Sequence, residues 1–143
     1  MATIKAFTDL AQSRNLAEIL PLESADMHYN NASIRGLDYA DEHRAELMDY
    51  NTAMKALSKY TINPLFEVIP CWSLTALLGA IAVYGIIDIR FLQSTYDNKG
   101  NHLTNVWCLT FEDIGTVTLD LYADNPIDAC YEMIIQLNEL KML

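Results

Sequence analysis

The chain is short of basic residues. Its 143 residues include 9 Lys and Arg against 19 Asp and Glu, which gives a formal net charge of −10. Proteins that bind nucleic acid neutralise phosphates with Lys and Arg, and anionic membrane surfaces attract the same side chains. This composition therefore argues against both kinds of partner. An acidic excess is typical of a soluble protein, or of one that binds a protein with a basic surface.

Cysteine is also scarce. Cys71, Cys108 and Cys130 are widely spaced and form no CxxC pair, so the sequence predicts neither a disulfide framework nor a zinc site. Free cysteines in apolar segments are usually small buried hydrophobic residues of proteins in a reducing compartment. The N-terminus lacks the basic and apolar regions of a signal peptide, and we therefore expect a cytoplasmic protein.

The sequence motifs of common enzymes are absent as well. It has no glycine-rich phosphate loop, no GxSxG and no HExxH. Cys71 precedes a predicted helix N-terminus, a position that can lower the pKa of a thiol, but no spacing ties His28, His43 or His102 to it. His43 and Glu46 form an i, i+3 pair without a second pair to complete a metal site. We expect no catalytic residue, no metal and no cofactor, and we interpret Cys71 as structural.

Length and hydropathy predict a folded domain. Hydrophobic residues make up 52% of the chain and charged residues 20%, whereas disordered chains have few apolar residues and high net charge. A chain of this length is sufficient for one core and short for two. We therefore predict a single domain over residues 1–143, with a helical N-terminal part over residues 1–63 and the core over residues 64–143.

The N-terminal part reads as two helices joined by a loop. A first helix is predicted over residues 7–20, where Thr8 can cap it and Asp9 lies in the first turn, favoured by the helix dipole. Residues 22–36 are polar and irregular, with turn residues. A second helix is predicted from residue 38 or 41 to residue 60, because its apolar residues recur with the helical period.

Residues 68–87 carry no charge and contain the densest apolar run of the chain. Prolines, glycines and polar residues interrupt this run and both of its flanks are acidic, so we do not expect it to span a membrane. Ser73 is a plausible helix N-cap, with Trp72 before it and Leu77 four residues after it, which is the pairing of a hydrophobic staple. A short buried helix over residues 74–82, followed by a strand, is therefore predicted.

The C-terminal half alternates apolar and polar residues in three segments separated by turns. These segments predict strands at residues 87–91, 107–111 and 117–121, each with one buried face; Trp107 lies on the buried face of the second. Short links favour antiparallel neighbours. Asn125 as N-cap and Pro126 at the first helical position then give the clearest helix start in the sequence.

The predicted fold class is α+β, with N-terminal helices followed by a helix, a three-stranded antiparallel meander and a helix (αβββα order). Double-stranded RNA-binding domains share this order of elements and place basic residues at the start of the last helix. Here that position reads DNPID (residues 124–128), which would repel phosphate. We predict no binding of nucleic acid.

Three segments carry a resemblance to a known group of proteins: TDLAQSRNLAEILPLESADM (residues 8–27), PCWSLTALL (residues 70–78) and ADNPIDACYEMI (residues 123–134). Together they resemble small acidic proteins of unknown function encoded by prophages and other mobile elements of gut anaerobes. The resemblance implies an accessory protein of a phage-like element inside a bacterial cell, and it carries no catalytic residue.

Three hypotheses follow. The first is a non-catalytic accessory protein that binds another protein, a host factor or defence component, through an acidic surface. The second is a homo-oligomeric structural module whose sheet edge or exposed aromatic residues pair with a second copy. The third is a small ligand-binding protein or enzyme that uses Cys71. The residues expected to matter structurally are Trp72, Ser73, Leu77, Trp107, Asn125 and Pro126.

Overall fold

The computed structural model describes residues 5–32, 66–113 and 117–143. These ranges contain both helices and strands, and the strands form a two-stranded and a three-stranded antiparallel sheet. The predicted α+β class is confirmed. The elements are α1 (Leu10–Ala17), a 3-10 helix (Leu22–Ser24), β1 (Met27–Ala32), β2 (Phe66–Cys71), α2 (Leu74–Ala82), β3 (Ile86–Tyr96), β4 (His102–Asp113), β5 (Val117–Ala123) and α3 (Pro126–Glu139).

The chain divides into two compact units, one of Phe7–Ala76 and one of Leu77–Leu143 with Met1–Ala6. This boundary falls inside α2 and not at residue 64, where the two parts of the predicted single domain meet. The single domain itself stays a prediction. The second predicted helix, over residues 38–60, lies outside the described residues, as do His43 and Glu46.

The first unit contains a strand pair that the sequence did not reveal. β1 runs antiparallel to β2, with Met27 opposite Cys71 and Tyr29 opposite Ile69, and α1 packs on β2. The prediction of an irregular segment over residues 22–36 is wrong for β1. Its strand character depends on a partner about forty residues further along the chain, and tertiary pairing of this kind leaves no local turn signal.

Helix α1 begins later than predicted. Asp9 is its N-cap: the Asp9 carboxylate accepts a hydrogen bond from the Gln12 backbone N–H at 2.8 Å, and the Gln12 side-chain Oε1 accepts one from the Asp9 backbone N–H at 3.1 Å, which completes a capping box. Thr8, which was predicted to cap the helix, is instead fully buried. Its hydroxyl accepts a hydrogen bond from the Trp72 backbone N–H at 3.1 Å.

The second unit is built on the antiparallel meander β3-β4-β5. Alternation along the strands places an apolar row on one face, with Leu109 opposite both Ile89 and Leu121. Helix α3 packs on β4 and β5. The buried side chains of α3 are Ile127, Ala129, Cys130, Met133, Ile134 and Leu137; those of β4 are Leu109 and Phe111 on the face of the apolar row, and Val106 and Cys108 on the opposite face.

The hairpin of β3 and β4 has one irregularity. The two strands pair continuously from Ile86 opposite Glu112 to Leu92 opposite Val106, and pairing resumes at Ser94 opposite Thr104. Between these stretches Gln93 and Asn105 do not pair, and Asn105 takes a positive φ of 53°. Asparagine tolerates this left-handed conformation better than most residues. The regular part of β3 is therefore residues 86–92.

Candidate functional site

The thiol of Cys71 is a candidate nucleophile because of its position just before a helix N-terminus. Cys71 is fully buried in a cluster with Met27, Tyr29 and Ile69. Its sulfur lies 3.6 Å from the hydroxyl of Thr8, which donates a hydrogen bond to it. The Thr8 carbonyl in turn accepts a hydrogen bond of 2.8 Å from the Tyr29 hydroxyl. The thiol is therefore part of a packed hydrogen-bonded interior.

This environment disfavours thiolate chemistry. Burial raises the pKa of Cys71 above its usual value of 9.0, and the hydrogen bonds from Thr8, Ser13 and Tyr29 offset only part of that increase. Met27 lies opposite Cys71 in the strand pair, so His28 projects from the other face of β1. The histidine nearest to Cys71 in this ladder is thus not placed to act as its base.

Trp72 and Ser73 connect β2 to α2. The Trp72 indole N–H donates to the Ser24 hydroxyl at 2.9 Å. The Ser73 backbone N–H and hydroxyl both donate to the Asp26 carboxylate, the first at 2.9 Å. The Ser73 hydroxyl also accepts from the Ala76 backbone N–H at 3.3 Å, as an N-cap does. These hydrogen bonds fix the chain where β2 leads into α2.

The other predicted structural residues occupy ordinary positions in the fold. Leu77 is fully buried and Trp107 half-buried. Asn125 caps α3 by accepting a hydrogen bond from the Asp128 backbone N–H at 2.8 Å, and Pro126 occupies the first helical turn. The contact of Trp72 with Leu77 as a hydrophobic staple stays a prediction.

A surface cleft of about 570 Å³ lies between the turn after β3 and β5. Its carboxylates are engaged in local structure. Asp97 accepts hydrogen bonds from the backbone N–H groups of Lys99 and Asn101 at 2.9 and 2.8 Å, and these bonds lower its pKa. Asp120 accepts from the Thr110 hydroxyl at 2.7 Å. The cleft therefore offers no pair of acids available for acid–base catalysis.

In residues 5–32, 66–113 and 117–143, no three His, Cys, Asp or Glu side chains are grouped so that they could hold a metal ion. In the same ranges no helix is both long and apolar enough to cross a bilayer.

The feature that stands out is β3. It is an edge strand, since no strand among the described residues pairs with its side away from β4. It is 11 residues long and none of its residues is buried. Ile86 is 65% exposed, Phe91 46% and Tyr96 65%. Natural proteins usually protect such an edge by making it short, charged or covered, because it can template pairing with another chain.

The opposite edge of the sheet differs. β5 has seven residues, and from residue 118 onward only Thr118 is exposed. The turn at residues 97–101 lies beside β5 across the cleft. β5 is thus shorter and flanked, whereas β3 is long and apolar. We call β3 with its side away from β4 the open edge.

Charges on the open edge are few and balanced. Asp88 and Arg90 are its only charged residues. They project from the same face of β3, and Arg90 Nε lies 3.2 Å from Asp88 Oδ2. The other face carries Ile87, Ile89 and Phe91. The Phe91 ring meets that of Trp107 edge-on, with centroids 5.4 Å apart. The strand is therefore electrically neutral in a chain of net charge −10.

Comparisons with known proteins gave no match: neither a protein-family model, nor a curated protein, nor a solved structure is detectably similar to this chain.

The alternation of apolar and polar residues predicted β3 but placed Phe91 on its buried face. In the structure Ile87 and Ile89 are half-buried, as the alternation predicts, whereas Phe91 is exposed. Alternation shows which side chains share a face and does not show how far a covering helix extends. Since α3 packs on β4 and β5, the row nearest the edge is less covered. The signal for the open edge that the sequence offered was the lack of net charge over residues 86–96, in a chain of net charge −10.

Proposed function

We propose that the protein is non-catalytic and acts by binding another protein chain through the open edge. The observation that supports this most strongly is the exposure of Ile86, Phe91 and Tyr96 on an edge strand with no buried residue. A chain that adds to a sheet edge gains backbone hydrogen bonds, and its side chains alternate between the two faces of the extended sheet. β3 offers an edge for such hydrogen bonds and exposed side chains on both of its faces.

An acidic surface alone accounts less well for binding. The exposed carboxylates of the described residues are distributed over both units and over helices, strands and loops: Glu18, Glu23, Asp88, Glu112, Asp124, Glu132 and Glu139. We propose that they disfavour anionic partners such as nucleic acid, while the neutral open edge makes the contact. That the partner is a host factor or defence component, and that the protein is cytoplasmic, stay predictions from the sequence.

The hypothesis of an enzyme that uses Cys71 has no support from the surroundings of that residue. Cys71 is fully buried and its pKa is raised, while a reactive thiol needs a lowered pKa and partial exposure. We therefore propose a structural role for this cysteine.

A photo-crosslinking experiment tests the proposed function. The variant Phe91→p-benzoylphenylalanine places a photoreactive group on the open edge and retains an aromatic side chain. The matched control is Leu140→p-benzoylphenylalanine, because Leu140 is also an exposed apolar residue, 53% exposed, at the end of α3. Both are irradiated as purified protein and in a lysate of the native host.

The proposal predicts that position 91 crosslinks to another polypeptide, with the crosslinked peptide identified by mass spectrometry, and that position 140 does not. Failure of position 91 to crosslink in either setting, or equal crosslinking from position 140, would contradict it.

A further inference from the structure

We infer that the partner at the open edge is a second copy of this chain, whose β3 pairs antiparallel with β3 of the first about a two-fold axis that passes between the two copies of Ile89. This inference rests on the proposed function and names its partner. Three independent features of β3 support it: the positions of its charges, the positions of its apolar residues and the extent of its regular segment.

The first feature is charge. A two-fold axis perpendicular to the sheet pairs residues symmetrically about one central residue and keeps each side chain on its own face. With Ile89 at the centre, Asp88 lies directly opposite Arg90 of the second copy, and Arg90 lies opposite Asp88. With Asp88 or Arg90 at the centre, two like charges would face each other instead, which is destabilising in a sheet.

More distant centres lose this match. A register centred on Ile87 would place Asp88 opposite Ile86, and one centred on Phe91 would place Arg90 opposite Leu92. Among symmetric registers, only the one centred on Ile89 pairs each charge with its opposite. The existing contact between Arg90 Nε and Asp88 Oδ2 holds both charged groups on one face, so the two pairs would meet as a cluster of four alternating charges.

The second feature is the apolar row on the other face. In the register centred on Ile89, Ile87 lies opposite Phe91 of the second copy, and Ile89 lies opposite its own counterpart. Aromatic and β-branched cross-strand pairs are among the favourable ones in sheets. Phe91 is 46% exposed and would be covered by Ile87 of the second copy. Over residues 86–92, every apolar residue therefore lies opposite an apolar residue, and every charged residue lies opposite one of the other sign.

The third feature is the extent of the regular ladder. β3 pairs with β4 without interruption over residues 86–92, and pairing stops at Gln93. The middle residue of this regular segment is Ile89. The segment can thus pair along its whole length with the same segment of a second copy, Ile86 lying opposite Leu92. The register chosen by the charges is also the one that uses the entire regular strand.

Net charge does not oppose this contact. The chain carries a net charge of −10, so two copies repel each other at most surfaces. β3 contributes one positive and one negative charge, which makes it a segment without net charge along which two copies can approach. The result would be one six-stranded sheet, with β5 of each copy at an outer edge.

Charge exchange tests this register. The variants Asp88→Arg and Arg90→Asp each place like charges opposite each other in the homodimer. Mixed together, they place opposite charges at both positions, because one chain then carries only positive and the other only negative charge there. Sedimentation velocity at up to sub-millimolar concentration measures the assembly of wild type, each variant and the equimolar mixture.

We expect a wild-type dimer, dimerisation weakened about tenfold or more in each variant alone, and recovery of the dimer in the mixture. Intramolecular rescue cannot explain that recovery, because neither chain contains an Asp–Arg pair at these positions. Both residues are exposed, so the fold should persist, and circular dichroism checks this. If either variant unfolds, the neutral variants Asp88→Asn and Arg90→Gln replace the pair and should each weaken the dimer.

A monomeric wild type, variants that dimerise as wild type does, or a mixture that does not recover would each overturn the inference. Its failure is distinguishable from failure of the proposed function. If wild type is monomeric while position 91 crosslinks to a different polypeptide, the open edge binds another protein and the second copy is excluded. If position 91 crosslinks to nothing, both are excluded.

Discussion

Arg90 Nε and Asp88 Oδ2 lie 3.2 Å apart on one face of β3, with the two side chains 57% and 63% exposed. An ion pair this exposed is screened by water and loses side-chain entropy, so it contributes little to folding. Its importance comes from its position at the centre of residues 86–92, the regular part of a strand that pairs with no second strand among the described residues. In the proposed dimer, Asp88 of each copy lies opposite Arg90 of the other.

The first prediction concerns this pair in the monomer. We expect Asp88→Asn to change the free energy of unfolding by less than about 1 kcal/mol, because exposed pairs contribute between about 0 and 1 kcal/mol. Urea denaturation at low micromolar concentration, where self-association is minimal, measures this. A loss of several kcal/mol would show that the pair supports the fold, and the charge variants would then be unsuitable probes of assembly.

The second prediction concerns the start of β3. A Cβ atom added to Gly85 would lie 2.6 Å from the Glu112 carbonyl oxygen and 2.6 Å from the Phe111 ring. Phe111 is fully buried and cannot move aside freely. We therefore expect Gly85→Ala to lower the free energy of unfolding by about 1–3 kcal/mol, as overpacking does.

Gly79→Ala is the matched control. Gly79 lies inside α2 and a Cβ added there meets nothing within 4 Å. Alanine is favoured over glycine in helices by about 0.5–1 kcal/mol, so this variant should be slightly more stable than wild type. Equal destabilisation by both substitutions would contradict the close approach of Gly85 to β4.

The third prediction concerns the buried hydroxyl of Thr8. It accepts the Trp72 backbone N–H at 3.1 Å and lies 2.7 Å from the Ser13 hydroxyl. Thr8→Val keeps the shape but leaves these partners unsatisfied in the interior, which costs about 1–3 kcal/mol. Thr75→Val is the control, because Thr75 is exposed on α2. Denaturation midpoints that shift equally for both would argue against the Thr8 network.

The fourth prediction concerns pH. Burial raises the pKa of Cys130 from 9.0 to about 12. A thiol whose pKa is higher in the folded state binds its proton more tightly there. Its contribution to stability is therefore complete below the unfolded pKa and is lost as pH rises from that value toward the folded one. Raising the pH from about 8 to about 10 should cost wild type about 1.4 kcal/mol more than Cys130→Ala.

Urea denaturation at the two pH values provides this comparison, and the constant effect of the smaller side chain cancels between them. Parallel losses in wild type and Cys130→Ala would show that the Cys130 thiol ionises in the folded protein as readily as in the unfolded one.

Local signals predicted part of this fold well. The Asn125 cap followed by Pro126 marked the start of α3, and residues 74–82 were predicted as the helix that the structure shows. These features depend on neighbours within a few residues. β1 could not be predicted in this way, because its strand character comes from pairing with β2, and Thr8 was misassigned as a cap because its actual partner is Trp72.

The candidate site could be predicted only in part. The alternation of Ile87, Asp88, Ile89 and Arg90 gave the strand and its two faces. That β3 lies at an edge, and that Phe91 is exposed there, depend on the order of the strands and on where α3 packs. Sequence period does not encode either property.

Amide hydrogen exchange across a dilution series tests most directly whether the open edge is bound by a second copy. Outward-facing N–H groups of an edge strand exchange rapidly unless another chain pairs with them. We predict that peptides covering residues 86–92 become protected as concentration rises, while those covering β5 do not change. Exchange in residues 86–92 that is equally fast at every concentration would contradict the proposed pairing.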